Sequence, residues 1–404
     1  MSQIPTAPPS GFRDFPPEAT YQRARLIETV SEVYRRFGFA QIATPALEDL
    51  AVLLGKGGGE NEKLIFKVMK RGEQLEKARA EGAELADMGL RFDLTLPLAR
   101  FYSKNKGVLP HPFKAFNIGP VWRAERAQKG RYREFYQCDV DIIGADSVTA
   151  EIEVISAILA AFKAAGLKEL PVAHVNDRES LLARLRAAGA TDRTLGAACV
   201  AIDKLDKGVD VHGELSSLGV DPKILHEQPA VPERVKAVLD AVPGAVFAPT
   251  LVRGFDYYTS TVFEFKLPGV SGSVGGGGRY DRLTEKFGGQ PVPAVGGSIG
   301  FERLLLLLEE PKAAGPRVVV TVFNDELRGA SLKAAATLRE AGIAADVYPG
   351  TAKLGNQLKY ADARKAAYAV VIGPDEARAG QAKLKELATG GETTVALAEL
   401  AQKV

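Results

Sequence analysis

Phe113–Gly144 reads FKAFNIGPVWRAERAQKGRYREFYQCDVDIIG, and its pattern decides the fold of the larger part of the chain. Two alternating segments, FKAFNIGPVWRAER and YREFYQCDVDIIG, flank a charged turn near Ala127–Arg131. A period of two puts successive side chains on opposite faces of a strand. The pair therefore reads as an antiparallel hairpin with one polar face. On its second strand Glu134, Tyr136, Cys138 and Val140 share one face, and Phe135, Gln137, Asp139 and Asp141 share the other. Burying Gln137 and Asp141 inside a sheet is costly unless something pairs with them, and a ligand is one such partner. The turn itself, Trp122–Arg133, carries five basic residues (Arg123, Arg126, Lys129, Arg131, Arg133) against one acid, Glu125. Arginines on a strand and its turn can hold a triphosphate through forked contacts; a solvated basic turn fits the charge pattern equally well.

Upstream of the hairpin, Leu26, Val30, Val33 and Phe37 recur at helical spacing, which predicts an amphipathic helix over Glu18–Phe37 with Gly38 as its stop. FAQIATPALED follows as an extended segment around Pro45, then LIFKVMKRG as an alternating strand. Glu73–Asp87 is a polar surface excursion, and LRFDLTLPLARFYS a strand running into a helix at Pro97. Downstream, TAEIEVISAILAAFKAAG is a helix ending at Gly166 and PVAHVND a short strand. From about Arg178 to Val242 the pattern is helical and polar, an insertion on the main domain. β character returns at LVRGFDYYTSTVFEFKL and leads, past SGSVGGGGRYDRL, to a strand-to-helix junction at AVGGSIGFERLLLLLEE.

PKAAGP is the best linker in the chain. Beyond it RVVVTVF, AADVYPG and YAVVIG alternate with helical segments, the mark of a small α/β unit with a largely parallel sheet. The expected division is thus 1–177 with 243–312 as an α+β domain built on an antiparallel sheet, 178–242 as a helical insertion, and 317–404 as a terminal α/β domain.

Bulk properties narrow the classes. The formal net charge is only +2, so any nucleic-acid partner must be met by local patches. Two cysteines without a CxxC exclude a disulfide framework and point to a reducing compartment. Four histidines far apart in sequence give no zinc spacing. MSQIPTAPPSGFRDF shows no signal peptide, and the longest apolar run, Leu304–Leu308, is too short for a membrane span. No segment fits the P-loop or the dinucleotide-binding glycine pattern; GKGGGEN, Gly55–Asn61, reads as a flexible loop. Phosphate is then expected to meet dispersed arginines, chiefly Arg123, Arg253 and Arg303, rather than a Gly-rich loop. An Arg-Gly step in a mainly apolar strand is odd for structure alone, though Arg253 could pair with Asp256 or another core carboxylate. GGGGRYD would let backbone approach a ligand closely, or form a loose glycine turn.

With WRAERAQKGRYREFYQCDVDIIG, LVRGFDYYTSTVFEF, GGGGRYDRL and GGSIGFERLLLLL taken together, the chain resembles the histidyl-tRNA synthetase family, over nearly its whole length from GFRDFPP onward. Three class II synthetase motifs occur in order: the helix with Pro45, the Arg123 hairpin and the helix start at Arg303. The resemblance implies ATP-dependent activation of L-histidine to histidyl-adenylate, then transfer to the 3′ end of tRNA-His, with ATP and Mg2+ required, in a cytoplasmic homodimer formed through the long helix and the Pro45 strand. It places Arg123 at the α-phosphate and the histidine carboxylate. Arg303 falls at the γ-phosphate end, Phe135 on the adenine ring and Glu125 at the adenine amino group, with Arg131 and Tyr132 in the same ATP set. Arg253 takes the part of a catalytic cation near the α-phosphate. The histidine ammonium would meet Asp93, Thr95 and Gln137. Its imidazole would meet Asp141 and Tyr258, with Tyr257 alongside. The terminal domain would read the anticodon through local contacts, since it holds 12 Lys+Arg against 10 Asp+Glu. A regulatory relative that has lost aminoacylation is the alternative; it usually lacks the terminal domain, and Arg123, Arg253, Arg303 and that domain are all present here.

Overall fold

The first predicted helix forms as α1 (Pro17–Arg36), and its apolar stripe, Leu26, Val30, Val33 and Tyr34, is buried. The computed structural model describes residues 4–54, 60–126, 132–205, 208–253, 257–309 and 315–404. These form two compact units, Met1–Phe15 with Gln22–Glu309 and Pro16–Tyr21 with Glu310–Val404.

After α1 come β1 (Ala40–Gln41), β2 (Leu47–Asp49), α2 (Leu50–Leu54), β3 (Lys67–Met69), α3 (Glu73–Glu81) and β4 (Ala86–Leu90). β2, β4 and β3 make a small antiparallel sheet, so the strand expected over LIFKVMKRG shrinks to three residues. α4 (Thr95–Asn105) starts two residues before the predicted Pro97. Pro97 stays within its first turn, where a missing N–H breaks no helical bond. Asp93 Oδ1 takes the amide of Leu96 at 3.1 Å.

The hairpin is β5 (Phe113–Trp122) and β6 (Glu134–Ile143), paired antiparallel from Phe113↔Ile143 to Trp122↔Glu134. α5 (Thr149–Ala164), β7 (Val172–Asp177), α6 (Arg178–Ala187), α7 (Leu195–Ile202), α8 (Val211–Ser217), α9 (Glu233–Ala241) and β8 (Val246–Phe247) follow. Next are β9 (Thr261–Lys266), β10 (Ser273–Arg279), β11 (Ala294–Gly300) and α10 (Phe301–Leu307). One eight-stranded sheet runs β1-β5-β6-β11-β10-β9-β7-β8. It is antiparallel through its centre and parallel only at the edge pairs β1/β5 and β7/β8. Cys138, Val140, Ile142, Phe263 and Phe265 join α1, α5 and α9 in the main core. α6, α7 and α8 share a separate small core around Leu185, Ala198 and Leu215, whereas Val235 and Val238 of α9 pack into the main one.

The chain around Arg253 departs from the expected strand. β9 begins only at Thr261, and Leu251–Arg253 lies outside any strand. Its backbone is satisfied otherwise: the Leu251 amide bonds Ala248 O, and Asn176 Nδ2 donates to Leu251 O. The glycine run departs in the opposite sense. GGGGR is not a turn but the body of β10, in the middle of the sheet.

The terminal unit carries β12 (Val318–Val320), α11 (Arg328–Glu340), β13 (Ala345–Val347), α12 (Leu354–Ala363) and β14 (Tyr368–Val371), with β13-β12-β14 parallel as expected. A short helix, α13 (Pro374–Ala379), then leads to β15 (Gln381–Glu386) and β16 (Glu392–Ala396), which extend the sheet antiparallel. The sheet is therefore half parallel rather than largely so. The turn between β15 and β16 carries Gly390 at φ 75°, a conformation that suits a glycine.

Candidate active site

Strand parity gives the sheet two unlike faces. One meets the helices. The other presents Gln137, Asp139 and Asp141 from β6, Gly296 and Ser298 from β11, Gly276 and Gly278 from β10, and Glu264 from β9. The glycines make a floor without side chains. A Cβ on Gly276 would stand 2.8 Å from Arg253 Nη1, one on Gly278 2.8 Å from the Tyr258 ring, and one on Gly296 within 1.8 Å of Asp141 Oδ1. Arg253 and Tyr258 lie down on β10 because nothing projects there.

Two adjoining cavities open on this floor. The smaller, about 40 Å3, is lined by Thr95, Gln137, Asp139, Asp141, Arg253, Tyr257, Tyr258, Tyr280 and Ser298 with the glycines. Asp139 and Asp141 are almost fully buried, as is Asp93 nearby. Burial pushes Asp93 up to about 6. Burial also pushes Asp139 up to about 7; a hydrogen bond from Ser298 opposes the rise and the neighbouring Asp93 charge adds to it. Asp141 rises well above the carboxylate range through burial and the Asp139 charge, while the Tyr280 hydroxyl opposes the rise by donating to its Oδ1 at 2.5 Å. Tyr257 is hydrogen-bonded to Thr95 and to Tyr258. Clustered buried carboxylates of this kind are stabilised by a cation. Among the described residues, two buried acceptors, Asp93 Oδ2 and Gln137 Oε1, have no hydrogen-bond partner, and neither does the donor Arg253 Nε.

The larger cavity, about 280 Å3, is lined by Arg123, Glu125, Tyr132, Phe135, Tyr136, Gln137, Arg253, Phe301, Glu302 and Arg303, with Ser273 and neighbouring glycines. Arg123 sits over the Phe135 ring at 5.0 Å, and its Nε donates to Phe92 O at 3.1 Å. Arg303 donates to Ser273 O. Glu302 is gripped by Arg13 at 2.7 Å and by both Nη atoms of Arg23 at 2.8 Å. Burial would raise its carboxyl, but the two arginines hold it below the usual range. Arg13 also stacks on Tyr132 at 3.2 Å. Gln137, Arg253, Gly276 and Ser298 line both cavities, so the anion-binding space and the carboxylate-lined space meet at Arg253.

A family model described as histidyl-tRNA synthetase matches residues 11–207 and 187–304, and one described as an anticodon binding domain matches 317–404. The chain belongs to the histidyl-tRNA synthetase family. The histidine–tRNA ligase of Leifsonia xyli is 40% identical over 367 residues, covering 79% of this chain and 84% of that protein. That of Porphyromonas gingivalis is 36% identical and covers 95% of each. Among solved structures, the histidyl-tRNA synthetase from Nostoc superposes with a TM-score of 0.82 at 29% identity over 99% of both chains. The class II fold expected from the hairpin, with its α/β anticodon-binding domain, is thus the fold of this synthetase.

Of the residues expected at the synthetase site, the structure gathers Arg123, Glu125, Tyr132, Phe135 and Arg303 in the larger cavity and Thr95, Asp141, Tyr257 and Tyr258 in the smaller, with Gln137 and Arg253 on both. Asp93 lies buried beside them without lining either. Arg131 falls outside the described residues, as do the glycines of the Gly55–Asn61 loop and Asp256, the carboxylate considered for Arg253. The carboxylate found on Arg253 is Glu264, at 2.6 Å. Part of the burial of Asp141 is met from within, by the Tyr280 hydroxyl on its Oδ1. Sequence reading passed over Asp139, Tyr280, Ser298, Glu264 and Glu302. Asp139 was visible on the polar face of β6; the others depend on strand register that the sequence does not show.

Proposed function

We propose that this synthetase works as a histidine–tRNA ligase with ATP in the larger cavity and histidine in the smaller. The observation that carries the placement is the set of orphaned polar atoms. Two buried acceptors, Asp93 Oδ2 and Gln137 Oε1, suit an ammonium, and a buried donor, Arg253 Nε, suits an anion. The imidazole then lies by Asp141 and Tyr258, which can address its two nitrogens separately. Asp139 adds negative charge under the ammonium end.

In the first step a histidine carboxylate oxygen attacks the α-phosphorus. The bond to the β-phosphate oxygen breaks, and pyrophosphate leaves. Arg253 and Arg123 face the phosphorus where charge builds, and fixed cations there stabilise the transition state without reorganising. Arg303 takes the far end of the triphosphate, Phe135 stacks on adenine, and Glu125, Tyr132 and Arg131 complete the nucleotide set. In the second step the terminal ribose hydroxyl of tRNA-His takes the histidyl group and AMP leaves. Mg2+ enters with the nucleotide. Among the described residues no cluster of three metal-ligating side chains occurs, and Glu302 is committed to Arg13 and Arg23, so the phosphates themselves would carry most of its coordination.

The wider reading keeps 1–177 with 243–312 as the catalytic domain, 178–242 as its insertion, whose α9 packs back into the main core, and 317–404 as the anticodon reader of a cytoplasmic homodimer. Support comes from the anticodon-binding match, from two buried cysteines without a disulfide, and from the lack of any described helix long and apolar enough to cross a membrane. Relatives named as ligases align over almost the full length and carry the terminal domain, which favours the synthetase over a regulatory relative. Histidine-dependent ATP–pyrophosphate exchange tests the activity, and no exchange in the pure protein would overturn it. Arg253→Ala should cut exchange strongly with the fold intact; a loss within about threefold, under ~0.7 kcal/mol, would remove Arg253 from the mechanism.

A further inference from the structure

Arg253 lines both cavities, and among the described residues one side chain, that of Glu264, is seen to hold its guanidinium. Glu264 Oε1 accepts from Nη1 at 2.6 Å, with both side chains largely shielded from solvent, at 19% and 17% exposure. The register explains the pairing. Glu264 stands directly across from Gly276 on β10 and from His174 on β7, so its side chain rises beside a position with no Cβ. The guanidinium fills that space, 3.1 Å at Cζ from where a Gly276 Cβ would be. It enters from a segment that has no strand ladder to fix it. Glu264 does not line either substrate cavity; it lines a separate one of about 190 Å3 with His174, Asp203, Thr250 and Lys266. It is therefore placed to act on the arginine and not on a substrate.

We propose that Glu264 is a positioning residue for the first step: it fixes the roll of the Arg253 guanidinium so that Nε, which has no partner among the described residues, faces the α-phosphate. The inference rests on Arg253 being the catalytic cation. A carboxylate at Nη1 occupies one edge of the planar fork and leaves the other edge turned toward the cavities. Without it the side chain would sample several rotamers over the glycine floor, and the cation would be in place only part of the time.

The test is the exchange assay on five variants: Arg253→Ala, Glu264→Gln, Glu264→Ala, Glu264→Asp and the double Arg253→Ala/Glu264→Ala. Glu264→Gln should lower kcat roughly tenfold and Glu264→Ala up to about 100-fold, with KM for histidine and ATP within about twofold. Glu264→Asp should recover part of the alanine loss. In the Arg253→Ala background, Glu264→Ala should cost nothing further. A folded Glu264→Gln or Glu264→Ala protein with parent kcat overturns the proposal. So does an equal loss in both backgrounds, which would mean that Glu264 acts elsewhere. If Arg253→Ala itself keeps parent activity, it is the role of Arg253 that fails, a distinct result. Should the alanine variant fail to fold, the glutamine variant, which keeps the volume, decides the matter alone.

Discussion

On the proposed placement of histidine, Tyr280→Phe isolates the force that keeps Asp141 usable as an acceptor for its imidazole. The hydroxyl donates to Asp141 Oδ1 at 2.5 Å, and both residues are buried, at 3% and 2% exposure. Phenylalanine keeps the ring and removes only that donor. A hydrogen bond to an ionised group contributes roughly 1.5–3 kcal/mol, and here it favours the ionised carboxylate alone. Its loss should therefore raise further a carboxyl that burial and the Asp139 charge already hold high. An imidazole N–H needs the ionised acceptor. Restoring it costs the same 1.5–3 kcal/mol, so KM for histidine should rise roughly 10- to 150-fold. KM for ATP should not move, because Tyr280 does not line the larger cavity. The sign with pH follows: raising pH ionises the carboxyl, so the variant's histidine KM should fall with rising pH more steeply than the parent's. Exchange kinetics at several pH values read all of this, with thermal denaturation confirming the fold. A folded variant whose histidine KM stays within about threefold, under ~0.7 kcal/mol, would refute the argument.

Gly276→Ala puts a methyl 2.8 Å from Arg253 Nη1 and 2.6 Å from Phe263 O; the carbonyl cannot retreat, so exchange should fall more than about tenfold and the melting temperature should drop, as overpacking costs roughly 1–3 kcal/mol. Arg13→Ala removes the stack on Tyr132 and one grip on Glu302; KM for ATP should rise about three- to tenfold with histidine KM unchanged, measured by exchange. Asp139, raised to about 7, holds a proton in the native state where the unfolded chain has lost it; stability should therefore decline as pH rises from about 4 to about 7, by up to ~1.4 kcal/mol per unit. Asp139→Asn lacks that decline, so urea denaturation at about pH 5.5 and about pH 8 should show the variant gaining on the parent at the higher pH.

The hairpin was legible because alternation over ten-residue strands is a strong signal, and the polar parity of Gln137, Asp139 and Asp141 marked the site face before any register was known. α1 and α5 were legible for the same reason at helical period. What failed was local. Arg253 read as part of a strand because Leu251 and Val252 are apolar, yet that apolar surface packs into two different cores while the backbone makes no ladder. GGGGR allowed a turn because glycine carries no strand propensity; only its neighbours β9 and β11 hold it extended. Glu264 and Tyr280 could not be assigned from sequence because each works through a partner 11 and 139 residues away.

On the proposed placement, the charge layout would orient the amino acid before any chemistry. Asp139 and Asp141 line the smaller cavity with Asp93 buried nearby, and Arg253 lines both that cavity and the space lined by Arg123 and Arg303. A zwitterion with its ammonium among the carboxylates directs its own carboxylate at the arginines and the α-phosphate. Turned round, it sets like charges together at both ends. Two unit charges 4 Å apart interact by about 4 kcal/mol at an effective dielectric of 20, so each reversed contact changes sign at that scale. The same field explains why the carboxylates are strained when alone, with Asp93 and Asp139 held near neutrality. A cation entering the cluster favours their ionised forms, so histidine binding should expel protons below about pH 7. Calorimetry in buffers of different ionisation heat would show that release; uptake instead of release would mean that the ammonium does not sit among these carboxylates.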